Sequence, residues 1–132
     1  MDPLKQATDE IIRLHRFIDG WFRGETTEDR FQPDFADALH PQFENIQPSG
    51  QVLTGADLLD PIRTAHGANP EFRITIEEPR LLGTWPSLIL AGYVEHQTGA
   101  RNSAADNRRR STALFETGDR LIWRHLQETW VS

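Results

Sequence analysis

The sequence predicts an α+β domain, with helices first and a curved, mainly antiparallel sheet after them. Three observations carry this expectation. Apolar residues near the N-terminus recur every three or four positions, those after Gly67 alternate every second position, and no strand–helix–strand alternation that would build a parallel sheet occurs. A length of 132 residues is enough for one domain and short for two, so residues 1–132 are read as a single unit.

The first helix opens at Asp2-Pro3, an N-cap followed by a first-turn proline. Leu4, Ala7, Ile11, Leu14, Ile18 and then Trp21 or Phe22 make its apolar stripe, and Gly24 closes it. About twenty residues give a helix near ~30 Å long, and a curved sheet is the surface expected to receive it. Thr26-Thr27-Glu28-Asp29 caps a short second helix through Phe31, Phe35, Ala38 and Leu39, ended by His40-Pro41. Phe43 to Val52 reads as two short extended pieces around the turn Pro48-Ser49-Gly50. Thr54-Gly55-Ala56-Asp57 has the form of a capping box with Asp in place of Glu. It opens a third helix through Leu58, Leu59, Ile62 and Ala65 to Gly67, which either kinks at Pro61 or begins at Asp60-Pro61.

Beyond Gly67 the period is two. Phe72, Ile74 and Ile76 alternate with Arg73, Thr75 and Glu77; strands over Leu88–Gln97, Arg109–Glu116 and Leu121–Val131 follow. Turns fall at Trp85-Pro86 and Thr117-Gly118-Asp119, and Thr98–Arg108 forms a longer polar hairpin loop.

Composition narrows the chemistry. The absence of cysteine excludes a disulfide scaffold, thiol nucleophiles, iron–sulfur clusters and cysteine-ligated zinc. The net charge of −6 arises entirely in residues 1–66, with 12 acids and 6 bases, while residues 67–132 carry 8 of each. An acidic helical half is most simply a solvated surface. No stretch has the ~18 apolar residues of a membrane span, and no basic-then-apolar leader reads at the start. The expectation is a cytoplasmic chain that engages neither membrane nor nucleic acid. The one basic run, Arg108-Arg109-Arg110, is read as a loop end. No metal site is expected either, because His15, His40, His66, His96 and His125 are scattered without ligand spacing. No P-loop, GxGxxG or GxSxG occurs, so no cofactor is expected.

The element order, together with Leu14-His15-Arg16-Phe17 through Trp21, Pro48-Ser49-Gly50 and the ending Trp123-Arg124-His125-Leu126-Gln127, resembles the nuclear transport factor 2-like superfamily. The likeness extends from Ile11 to Trp130 and includes the SnoaL-like cyclases and the association domain of the calmodulin-dependent kinase. It implies a cone-shaped, cystatin-like roll, three N-terminal helices packed on the sheet. It says little about chemistry, since this fold hosts isomerases, cyclases, dehydratases, binding modules and dimerisation domains.

Strand parity suggests where a site would lie. Tyr93, Glu95 and Gln97 share one face; Arg109, Ser111 and Ala113 share another; and a strict alternation groups Trp123, His125, Gln127 and Thr129. Paired side by side, these sets form one polar patch, either the cone's inner wall or an exterior or dimer face. On the inner-wall reading, His125 and Glu95 are the acid and base. Tyr93, Gln97, Arg109, Ser111, Trp123 and Gln127, with Trp21 and His15 from the first helix, bind a small organic ligand. Arg109 then holds a carboxylate or enolate through its planar fork. The plainer alternative for Glu95 and Arg109 is a cross-strand ion pair. Three functions therefore stay open. They are a cofactor-free isomerase, cyclase or dehydratase, a non-catalytic association module that homodimerises through the sheet, and a carboxylate-metabolite binding protein.

Overall fold

Helix α1 spans Pro3–Arg23 in the computed structural model, which describes residues 2–132. The Asp2 side chain accepts from the Lys5 amide, Pro3 occupies the first turn, and Gly24, at φ 80°, ends the helix in a left-handed conformation. Its stripe buries Ala7, Ile11, Leu14, Phe17 and Trp21. The following segment is more broken than the sequence suggests. A 3₁₀ turn (Glu28–Arg30), the single turn α2 (Phe31–Asp34) and a second 3₁₀ turn (Ala36–Ala38) replace one short helix. Strand β1 already begins at Leu39 and runs to Ile46, so His40-Pro41 lies in a strand and does not end a helix. Pro41 falls where the register jumps between Leu39 and Glu44, a stretch that does not need its missing N–H.

Strand β2 (Val52–Thr54) leads into α3 (Gly55–Thr64) through the full capping box, with Thr54 and Asp57 bonding each other's backbone. This cap fixes the helix start, and Pro61 lies inside the helix; the alternative start at Asp60-Pro61 is not what forms. The remaining strands are β3 (Arg73–Trp85), β4 (Leu88–Thr98), β5 (Asn107–Glu116) and β6 (Ile122–Trp130). The sheet order is β2-β1-β6-β5-β4-β3, antiparallel throughout except for the β1–β6 pair.

Helices α1 and α3 cover one face of this sheet. Its inner rungs run Ile89–Phe115–Trp123, Ala91–Ala113–Leu126–Asn45, Tyr93–Ser111–Glu128 and Glu95–Arg109–Trp130. The first two are almost wholly apolar and join the α1 stripe in the core; the last two are polar. On the outer face, Leu90–Leu114–His125–Glu44 and Gly92–Thr112–Gln127–Ile46 line up in the same way.

One irregularity decides what β6 contributes. Phe115 pairs with Trp123 but Leu114 pairs with His125, so Arg124 is an extra residue, a β-bulge. A bulge of one residue reverses the alternation. Trp123 faces inward, and beyond it the inward residues are Leu126, Glu128 and Trp130. The expectation that Trp123 shares a face with His125 and Gln127 is therefore corrected.

The β4–β5 loop is anchored at Gly99, whose φ is 71° and where an added Cβ would run into the Glu71 carbonyl. Gly99→Ala is expected to lower stability by about 1–3 kcal/mol, since both the left-handed backbone and the contact oppose a side chain. Urea denaturation of the two proteins checks this.

Candidate functional site

Between α1, α3 and the inner sheet face lies a cavity of about 650 Å³. Leu14, Ile18 and Phe22 on α1, Ile62 on α3 and Phe43 and Leu126 on the sheet supply apolar wall. Exposed lining residues mark its mouth, namely Ser49 in the β1–β2 turn, Ala68 after α3, and Arg101 and Asn102 in the β4–β5 loop. At the buried end stand His15, Asn45, Glu95, Arg109 and Glu128.

His15 is held in the middle of α1 by its own helix. Its Nδ1 lies 2.7 Å from the Ile11 carbonyl oxygen, which only accepts, so Nδ1 carries a proton. Its Nε2 lies 3.1 Å from Oε1 of Glu95 on β4. Burial opposes the charge on His15, but the Glu95 carboxylate outweighs it and raises the histidine above its ordinary value. Burial likewise opposes ionisation of Glu95, yet the charge and N–H of His15, with Arg109 and the Gln97 amide at 2.7 Å, hold it down to about 2. The two form a buried imidazolium–carboxylate pair joining helix to sheet.

The second carboxylate behaves oppositely. Glu128 accepts from Arg109 Nη1 at 3.2 Å and from Asn45 Nδ2 at 3.0 Å. Burial first, then repulsion from Glu95, push its pKa up against those two donors. Arg109, on the strand between, lies with its guanidinium 4.8 Å from the Trp130 ring centre. One rung away, the side chains of the register partners Tyr93 and Ser111 are buried, and burial raises the tyrosine well above its ordinary value.

Of the residues singled out from the sequence, His15, Glu95, Gln97, Arg109 and Trp123 line the cavity. Trp21, Tyr93 and Ser111 are buried behind its wall; the Trp21 indole N–H donates to the Ile62 carbonyl and so ties α1 to α3. His125 and Gln127 are on the outer face, with His125 Nδ1 4.0 Å from Glu44, so His125 and Glu95 are not a pair. Sequence reasoning missed Glu128 and Asn45. The signal was an acid sharing a parity with Leu126 and Trp130, and an amide two residues after Phe43 on a short strand.

A scan of protein-family models finds no match. Among solved structures, the chain is 30% identical to a nuclear transport factor 2-like protein of unknown function from Pseudomonas aeruginosa, covering 96% of this chain and 99% of that one with a TM-score of 0.87. The chain belongs to the nuclear transport factor 2-like superfamily. More distant likenesses show the same fold. They include a kinase II hub homology domain from Chlamydomonas reinhardtii (19% identity, 96% and 99% coverage, TM-score 0.67). A candidate ketosteroid isomerase from Shewanella frigidimarina gives 14% identity, 94% coverage of both chains and TM-score 0.66. In sequence, the chain is 24% identical over 128 residues to an Arabidopsis thaliana protein named probable sucrose-phosphatase 2. That match covers 92% of this chain and 29% of the relative's length.

Removing one member of a buried ion pair strands the other. Glu95→Gln is expected to cost about 3–5 kcal/mol. The pH dependence has two flanks. His15, raised in the fold, contributes fully below its ordinary 6.5 and loses that contribution as pH climbs through its folded value. Glu95, lowered, contributes fully above its ordinary 4.5 and loses it as pH falls toward about 2. Glu128, raised, contributes fully below its ordinary 4.5 and loses that contribution as pH climbs through its folded value. Thermal melts across this range are expected to show stability falling on both the acid and the alkaline side in the native protein, with both falls weakened in Glu95→Gln.

Proposed function

We propose that the chain binds a small organic molecule in the cone and moves a proton on it without a cofactor, in an isomerisation, cyclisation or dehydration. One observation carries this reading. Two carboxylates face the same cavity in surroundings that drive their pKa values apart, Glu95 down and Glu128 up. Glu128 is the acid and base, Glu95–His15 fixes the field around it, and Arg109 steadies negative charge that develops on the substrate. The candidate isomerase among the structural neighbours is consistent with this chemistry.

The test is deuterium wash-in from heavy water into a panel of small carbonyl compounds, followed by proton magnetic resonance. Glu128→Gln is expected to slow the exchange by about 10²–10⁴-fold, whereas His125→Ala, outside the cavity, leaves it unchanged. Equal exchange in Glu128→Gln and the native protein would overturn the assignment.

A separate observation favours a second reading, association through the sheet. The outer face presents Leu90, Leu114, Ile46 and the 52%-exposed Val52, and the hub homology domain is among the structural neighbours. We infer a homodimer on this face, compatible with a working cavity on the other. Leu114→Glu is expected to convert the dimer to a monomer in sedimentation velocity, and a native monomer would remove this reading.

A further inference from the structure

Arginines in this chain show how a guanidinium takes a carboxylate. Arg23 meets Glu25 through Nε and Nη2, both at 3.0 Å, and Arg30 meets Asp34 through the same edge at 3.0 and 2.7 Å. Arg109 leaves that edge without a carboxylate. Its Nη1 is used on Glu128, Nη2 has only a 3.5 Å contact to the Asn107 side chain, and Nε is buried without a partner. A buried donor left unmet is costly, of order ~1–3 kcal/mol. The guanidinium is meanwhile held by Glu128 on one side, and the Trp130 ring lies over its face.

The charges on the cavity wall agree. Glu95 already accepts from His15 and Gln97, and Glu128 from Arg109 and Asn45. At the mouth, Arg101 donates to the Ala68 carbonyl at 2.7 Å and forms no ion pair among the described residues. Against two carboxylates the wall therefore sets three cations, His15, Arg101 and Arg109.

Resting on the reading that the cavity holds an organic ligand, we propose that its ligands are organic monoanions, an apolar body bearing one carboxylate, which the Nε/Nη2 edge of Arg109 takes in a two-point contact. Arg101 attracts the anion at the mouth. The apolar body lies against Ile18, Phe22 and Ile62, and the half-exposed Trp130 is the side chain free to turn aside and open the edge. With the carboxylate fixed there, Glu128 stands next to the carbon skeleton it would protonate or deprotonate.

Calorimetric titration with naphthylacetate and its neutral isostere naphthylacetamide separates this proposal from the reading beneath it. The native protein is expected to bind the acid about tenfold or more tightly than the amide. In Arg109→Gln that preference collapses while affinity for the amide holds. Should the single variant not fold, Arg109→Gln/Glu128→Gln removes both partners together and makes the same comparison. Arg101→Gln is expected to slow association of the acid alone, more so at low salt. Equal binding of acid and amide by the native protein would overturn the carboxylate selection and leave the cavity reading standing. Binding of neither probe would overturn both.

Discussion

A charged histidine in the middle of α1 reaches the sheet at Glu95, and the arrangement of the cavity follows from that contact. The helix supplies one acceptor, the Ile11 carbonyl, and the sheet supplies the other, so the imidazolium is bonded at both nitrogens. Taking two ions out of water costs several kcal/mol each, and only close geometry with further donors offsets it. Gln97 provides such a donor to Glu95, and the nearby positive charge of Arg109 adds to it. The negative charge thereby held at Glu95 is in turn one cause of the raised pKa of Glu128.

This contact divides the inner sheet face in two. Toward the Ile89–Phe115–Trp123 rung, α1 lies on aromatic and aliphatic side chains, where burial at roughly 25 cal/mol per Å² drives packing. Toward the Glu95–Arg109–Trp130 rung, charged side chains and a cavity replace that packing. Trp21 closes the apolar part by joining α1 to α3, and Asp19 joins α1 to β3 by accepting from the Ile74 amide at 2.9 Å. The helix is held beyond His15 by these two contacts and before it by the close packing of Ala7, Ile11 and Leu14 in the core. At the far edge, the irregular register of β3, with Glu78 at φ 51° followed by Pro79, limits pairing with another strand.

Much of this was legible because it rests on local chemistry. The Asp2-Pro3 cap, the Gly24 stop, the Thr54 capping box and the period-two strands each act within a few residues, and each forms where the residues predict. The shared face of Tyr93, Glu95, Gln97, Arg109 and Ser111 also follows from alternation, since β4 and β5 pair without interruption. Less legible were the start of β1 at Leu39 and the passage of α3 through Pro61, where pairing to β6 and the strength of a cap outweigh local signals.

The sequence by itself determined the order of the elements, the apolar stripe of α1 and the face that Tyr93, Glu95 and Gln97 share on β4, because caps, periodicity and uninterrupted alternation are short-range properties. Only the tertiary structure decided which histidine meets Glu95 and which carboxylate joins it. His15 comes within reach of Glu95, 80 positions away, through helix-on-sheet packing. Glu128 rather than His125 faces the cavity because the one-residue bulge at Arg124 reverses the alternation of β6. A bulge leaves no mark on hydrophobic periodicity until the partner strand is known, since it is defined by two residues opposing one.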